Sequence, residues 1–313
     1  MAATNYVCEI SSEQAAALKS LLEERGWEFS SMPYARWKAS RDKTQVTAYE
    51  SGKLMVQGRG TEEFVTFILE PEVLHEARFG YEQELAAVEN PKMFLPHAGI
   101  DESGKGDFFG PLCIACVYTD EASAKALLKA GVADSKTIGT DKKIFELAEV
   151  VKRETAGRFS VVAIGPEAYN RLYESFGNLN HLLAWGHAKA LETLLEKVPD
   201  CPRAISDQFA KSKNTVKSAL QARGRQIELE QMPKAEADVA VAAASILARN
   251  EFVRRMNALG MPMLGRSLPK GVSEAVLATA REIVSVQGPQ ALRLYAKMHF
   301  KTATQVLEGE IRN

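Results

Sequence analysis

The 313-residue sequence is short of several things, and each shortage removes a class of function. It has 4 cysteines, too few for a disulfide-built scaffold at this length. Its 39 basic and 40 acidic residues nearly cancel, so no overall positive field advertises nucleic acid, and any such contact must come from local patches. No apolar run approaches the ~20 residues of a bilayer-spanning helix. The first ten residues have neither a basic start nor an apolar stretch, so no export signal is expected and the expected location is cytoplasmic. The 5 histidines offer little. His181 and His187 fall six residues apart on one helix, on different faces, which argues against a zinc pair. His299, after a helix of the tail, reads as packing. Cys113 and Cys116 form a C-x-x-C inside an apolar strand pattern. Residues three apart on a strand point to opposite faces, so both thiols read as core.

What is present divides into two regions. Over 1–88 the pattern predicts a small α+β domain. A strand at 6–10 leads through a Ser11 or Ser12 cap into a helix ending near Glu24, closed by Gly26. Strands follow at 34–41, 44–50 and 53–57, then a helix opened by Thr61-Glu62-Glu63 and running through 64–69. The meander carries Arg36, Lys38, Arg41, Lys43, Lys53 and Arg59 against Asp42 and Glu50. By period 2, Tyr34, Arg36, Lys38 and Ser40 share one face, and Ala35, Trp37 and Ala39 the other. Arg36 and Lys38 therefore read as phosphate contacts on a basic sheet face, with Trp37 in the core. Pro71, Pro91 and Pro96 punctuate the stretch after it, with an acidic helix at 81–89 between.

The second domain spans 95–313. Strands are expected at 98–101, 111–118, 158–164, 204–207 and 226–230. Helices are expected at 122–130, 141–155, 166–176, 179–197 and 237–258, and in the tail at 273–286 and 290–299. Strands interleaved with long helices predict an α/β layer fold.

One segment concentrates chemistry: Gly99-Ile-Asp101-Glu102-Ser103-Gly104-Lys105-Gly106. Two carboxylates end a buried strand where the chain enters a Gly-Lys-Gly turn. Such carboxylates can hold a divalent metal, and such a turn can hold a phosphate. Asp207 ends a second apolar strand, and Glu236 and Asp238 precede the apolar helix that begins at Val239. In an α/β sheet, ligands gather at neighbouring strand ends, so these acids can converge. Hydrolysis of a phosphodiester needs such a set, since paired Mg²⁺ ions activate water and stabilise the leaving oxygen. Taken singly, each acid could equally be solvated surface charge.

Together these residues resemble the type 2 ribonucleases H, and ribonuclease HIII in particular. The family's Asp-Glu-x-Gly-[Arg/Lys]-Gly segment stands as Asp101 to Gly106, in the Ser and Lys variant typical of HIII. Asp134-Ser135-Lys136, the run from Asn178 through His181 to His187, the Ala242 to Arg249 run, Leu268-Pro-Lys270-Gly271 and Ala296-Lys-Met-His-Phe300 follow in family order. The match covers about 97–305. The resemblance implies a ribonuclease H-like mixed sheet flanked by helices, preceded by a small α+β domain like that of the TATA-binding protein. It implies Mg²⁺ or Mn²⁺ on Asp101, Glu102 and Asp207. It places Glu236 at the fourth catalytic acid, ahead of Asp238, although the family has aspartate there. Ser103, Gly104, Lys105 and Gly106 would contact an RNA–DNA hybrid, the turn reading the 2′-hydroxyl. The implied enzyme is a monomeric endonuclease that cuts the RNA strand and leaves 3′-hydroxyl and 5′-phosphate ends. The alternatives are HII-like cutting at single ribonucleotides in DNA and a non-catalytic hybrid-binding protein.

Overall fold

The computed structural model describes residues 5–76, 90–133, 135–207, 218–220, 223–232 and 235–311. Asp134, Lys234 and the acidic stretch 81–89 lie outside them. The chain divides into two compact units, Met1–Val88 and Glu89–Asn313.

In the first unit, β1 (Asn5–Glu9) leads into α1 (Ser12–Glu24). Ser11 caps α1: its hydroxyl accepts from the Gln14 amide at 3.1 Å, and its own amide donates to the Gln14 side chain at 2.9 Å. A cap of this kind is worth about 1 kcal/mol. Strands β2 (Glu28–Ser30), β3 (Ala35–Arg41), β4 (Thr44–Tyr49) and β5 (Lys53–Gly58) follow, and the antiparallel sheet runs β1-β5-β4-β3-β2. The short edge strand β2 is absent from the sequence expectation because three residues carry too little periodicity. Helix α2 (Thr61–Phe64) continues as a wide-turned π-helix, Val65–Leu74, which carries the helical segment through Pro71 and beyond the expected 64–69. Trp37, Ala39, Val46, Ala48, Leu54 and Val56 face Leu18, Leu22, Phe64, Val65 and Leu69 in one core. Trp37 is buried there and its indole donates to the Ala15 carbonyl at 3.2 Å. By the period-2 rule, Lys38 and Ser40 then lie on the face that the two helical segments leave uncovered, while exposed Arg36 falls at a bulge between Ala35 and Trp37 where the alternation breaks.

The second unit begins with β6 (His97–Ser103) and β7 (Leu112–Thr119), an antiparallel pair. Then come α3 (Glu121–Lys129), α4 (Asp141–Glu154), β8 (Phe159–Ile164), α5 (Pro166–Phe176), α6 (Leu179–Leu195), β9 (Arg203–Asp207), β10 (Glu228–Met232) and α7 (Val239–Leu264). The sheet order is β10-β9-β6-β7-β8, with β10, β9 and β6 parallel and β7 and β8 antiparallel to their neighbours. This is the mixed sheet flanked by helices that the resemblance implies. Ala98, Ile100, Ile114 and Cys116 pack with Leu183, Ala184, Leu191 and Leu194 of α6. The other face receives α7, which lies directly on β6. Gly99 makes that approach possible, since a Cβ there would stand 2.2 Å from the Ala240 carbonyl carbon. Cys113 and Cys116 are both fully buried, and burial pushes the Cys113 thiol up to about 12.

The tail departs from expectation. Helix α8 (Glu274–Gln287) forms, but the expected helix at 290–299 does not. A 3₁₀ turn, Pro289–Leu294, is followed by irregular chain and then α9 (Lys301–Ile311). The reason is a competing use of backbone groups. Gly110 donates to the Tyr295 carbonyl at 2.8 Å, and Lys297 donates to the Phe108 carbonyl at 2.9 Å. Those groups hold the loop after β6 and so are spent outside any helix.

Gly99→Ala is expected to destabilise the protein by about 1–3 kcal/mol or more, because backbone on both sides of the clash must move. Thermal unfolding of the variant beside wild type measures this.

Candidate active site

Strand register builds the site. Parallel pairing aligns Ala98 with Ala204 and Ile100 with Ser206, so Asp101 continues beside Asp207 at the carboxyl ends of β6 and β9. Both belong to the parity that faces α7, since Gly99 meets that helix and Ile205 packs with its Val241. Glu102, one residue on, points to the opposite face, where His187 of α6 waits. Consecutive carboxylates are thus anchored from two sides of the sheet while both border one cleft of about 420 Å³. Asp207, Ser103, Gly104, Lys105 and Gly106 line the same cleft, with Lys136, Arg249 and Lys270.

Each carboxylate is held differently. Asp101 is only 8% exposed; its Oδ1 accepts from the Glu102 amide at 2.8 Å. Burial, then the neighbouring Glu102 charge, pushes its acid up to about 7. Burial, the largest single influence, works against the Glu102 charge, and the hydrogen bond from His187 Nε2 at 2.9 Å is the largest of the effects that favour it. Lys105, 3.5 Å from Oε1, adds to that effect, and the Glu102 acid ends below the usual carboxylate range. Lys105 therefore pairs with a site acid from the exposed side of the turn.

The turn has one glycine that the fold demands and one that it does not. Gly104 has φ +90°, and a Cβ there would meet the Pro111 carbonyl oxygen at 2.3 Å and the Phe252 ring at 2.8 Å. Gly106 has nothing within 4 Å of its missing Cβ, so its backbone faces open space. The loop is clamped from behind. Phe108 donates to Gly271 O at 3.1 Å, and Gly271 donates back to Asp107 Oδ1 at 2.6 Å. The Lys297 ammonium, with 0% exposure, donates to the carbonyls of Asp107 (2.8 Å) and Phe109 (3.2 Å). Burial draws its pKa down to about 7. On the opposite rim, Ser135 Oγ meets Ser245 Oγ at 2.6 Å, and the Arg249 guanidinium donates to the Ser135 carbonyl. Lys270 reaches Asp141 at 2.8 Å.

The two acids before α7 have different fates. Asp238 is 2% exposed and caps the helix, accepting from the Ala240 amide at 2.9 Å. The same oxygen meets His97 Nε2 at 2.9 Å. Glu236 sits half-buried in a single 3₁₀ turn, Ala235–Ala237, that packs against β9 and α7, outside the cleft lining. Among the described residues, no three Asp, Glu, His or Cys side chains form a ready metal cage. The donor set still suits a hard cation. The oxygens of Asp101, Glu102 and Asp207 border one cleft, and Mg²⁺ characteristically keeps waters and takes one or two carboxylates plus substrate phosphate. The crowded Asp101 carboxyl is the kind of group that a divalent charge would deprotonate. Arg36 and Lys38 belong to the first unit.

Sequence spacing assigns no role to His187, Lys136, Arg249 or Lys270. All four sit inside the quoted motifs, so a signal exists, but pairing across α6 and the sheet is not visible in spacing. For His187, spacing poses only the question of a zinc site with His181, and the partner that matters is Glu102.

Known proteins resemble this chain in sequence and fold. The family model Ribonuclease HII matches residues 98–303, and the Domain of unknown function DUF3378 matches residues 5–77. Ribonuclease HIII of Chlamydia felis is 40% identical over 307 residues, covering 98% of each chain. That of Chlamydia pneumoniae is 42% identical, covering 97% of this chain and 99% of its own. The crystal structure of Bst-RNase HIII in complex with Mn²⁺ aligns with TM-score 0.66 and 28% identity, over 99% of this chain and 100% of that one. Fold and cleft thus define a ribonuclease H, a hydrolase of nucleic acid. Within that class, the chain belongs to the ribonuclease HIII family.

Because the Asp101 acid is raised by the fold, its protonated form favours the native state, and that contribution is lost as pH rises from about 4 through 7. In metal-free buffer at pH 8, Asp101→Asn is expected to be more stable than wild type by on the order of 1–4 kcal/mol. Denaturant unfolding against pH checks this. A variant with the wild-type pH profile contradicts it.

Proposed function

We propose that the cleft cuts the RNA strand of RNA–DNA hybrids by endonucleolytic hydrolysis, with Mg²⁺ or Mn²⁺ bound by Asp101, Glu102 and Asp207. The observation that carries the reading is the β6–β9 register, which sets Asp101 beside Asp207 next to the Gly104–Gly106 turn. Two bound cations would supply the Lewis acidity that activates water and the charge that stabilises the leaving oxygen. His187 fixes Glu102 in its ionised form and in one orientation. Glu236, beside the cleft and outside its lining, is the further catalytic acid in this reading, because Asp238 is committed to its helix cap and to His97. Lys136, Arg249 and Lys270 counter the charge of the substrate backbone at the cleft rim. The Gly106 backbone, open to solvent, lets a ribose 2′-hydroxyl approach where a side chain would stand in the way. Products carry 3′-hydroxyl and 5′-phosphate ends.

In the same reading the first unit is a substrate-binding domain, resembling the TATA-binding protein, that grips phosphates with Lys38 on its uncovered sheet face and with exposed Arg36 at the bulge. The enzyme acts as a cytoplasmic monomer. Among the described residues no helix is long and apolar enough to cross a membrane.

Asp101→Asn is expected to lower hybrid cleavage by several orders of magnitude while binding without added metal stays within about threefold of wild type. Cleavage and gel-shift assays on one labelled hybrid measure both, and wild-type cleavage by the variant would remove Asp101 from the site. Replacing Arg36 and Lys38 with alanine is expected to reduce the slope of log K against log salt by about 0.9 for each phosphate no longer neutralised. Binding isotherms across a salt series read that slope.

A further inference from the structure

The first unit contains a second basic site that the sheet-face reading does not use. At one end of the unit, a cavity of about 670 Å³ opens between the β3–β4 turn, the β5–α2 loop and the end of α1. Arg25, Arg41, Lys43 and Arg59 line it, against Asp42 and Glu63. Its walls are Trp27, Phe64 and Phe67. It lies on the helix side: Arg41 shares the strand parity of buried Trp37 and Ala39, and its guanidinium donates to the Arg25 carbonyl at the end of α1 at 2.8 Å. Lys38, of the opposite parity, points the other way.

Backbone packing sets the two segments that carry Lys43 and Arg59 against each other. A Cβ on Gly58 would fall 1.8 Å from the Lys43 carbonyl oxygen, and one on Gly60 would fall 2.2 Å from the Thr44 hydroxyl oxygen. The Gly58–Gly60 loop is therefore pressed onto the β3–β4 turn, with Arg59 between the two glycines and Lys43 opposite. Arg25 is paired with Glu72 at 2.6 Å, and Arg41 lies 3.8 Å from Asp42. Lys43 and Arg59 are exposed and have no anionic partner among the described residues. Four basic side chains against two carboxylates leave the cavity net positive, which makes it a site for an anion. The aromatic wall narrows the kind of anion. Phe67 is 67% exposed, an unusual position for a large apolar ring, while Trp27 and Phe64 meet edge to face at 5.2 Å behind it. Cations beside an exposed ring are how proteins hold an unpaired nucleotide: phosphate on the charges, base on the ring.

We propose that this cavity binds an unpaired stretch of nucleic-acid strand, with Lys43 and Arg59 on its phosphates and a base stacked on Phe67. The contact is separate from the grip of the sheet face on duplex. It would let the enzyme hold single-stranded chain that adjoins a hybrid. The inference rests on reading the chain as a nucleic-acid enzyme, and cleavage of a blunt hybrid tests that reading by itself.

The test is fluorescence anisotropy of the full chain, without divalent metal, using an oligothymidylate of about ten nucleotides, a length within the usual range for single-strand sites. An abasic strand of equal length and adenosine monophosphate serve as the other probes. Lys43→Ala with Arg59→Ala is expected to weaken oligothymidylate binding about tenfold and to reduce the salt slope by about 0.7 for each phosphate no longer neutralised. Phe67→Ala is expected to weaken oligothymidylate about tenfold and leave the abasic strand unchanged. Both variants should cut a blunt hybrid at the wild-type rate and unfold at the wild-type temperature. Wild-type oligothymidylate binding by the double variant would overturn the site. Equal loss of both strands in Phe67→Ala would overturn the stacking. Adenosine monophosphate bound as tightly as the strand would make the cavity a free-nucleotide site instead. Loss of blunt-hybrid cleavage in step with strand binding would put these residues on the hybrid path and overturn a separate site.

Discussion

The catalytic unit depends on one pairing, the parallel register of β6 with β9. Parallel neighbours in register present side chains on the same face at the same height, and here the register ends at Ile100 with Ser206, so the next residues at the carboxyl ends are Asp101 and Asp207. A slip of one residue would send Asp207 to the other face and separate the two acids. The register is secured by what lies on each face. Ala98 and Ile100 enter the core with α6, and Gly99 lets α7 sit on the strand itself. The need for closeness at Gly99 and the need for charge at Asp101, two residues on, are met by a single strand.

Putting carboxylates at the end of a buried strand is costly, and the surroundings offset that cost unevenly. Glu102 receives His187 and Lys105 and stays ionised. Asp101 receives less and is driven toward its neutral form in the metal-free protein. That imbalance is the electrostatic signature of a proposed cation site, in which a divalent charge completes what the side chains leave undone. The loop beside it is made rigid from behind by Gly271, Tyr295 and the buried Lys297, so the open backbone at Gly106 is presented in one position. The tail thus contributes to the site through backbone groups that an ordinary helix would have used internally.

Much of this is legible in the residues, and the failures have identifiable causes. The acids Asp101, Glu102 and Asp207 stand out because each ends an apolar run, and a run that stops at a carboxylate marks a strand end. Period 2 separates buried Trp37 from Lys38 because β3 is covered on one side only, but it does not extend to Arg36, which falls at a bulge in the strand. The segment 290–299 misleads because its composition suits a helix while its partners lie far away in sequence. His187 is silent for a related reason: its value comes from Glu102, 85 positions away in the chain and across the sheet. Between Glu236 and Asp238, the sequence offers only spacing. The structure adds that Asp238 caps α7 and meets His97, which is the ground for proposing Glu236.

Asp207 and Asp101 are proposed to share a divalent cation across the β6–β9 pair. Calorimetric titration of Mn²⁺ into the wild-type chain and into Asp207→Asn tests it without any reliance on activity. Saturable binding to wild type is expected, weakened about tenfold or more in the variant, since a charged ligand is removed. Identical Mn²⁺ isotherms for the two proteins would contradict it.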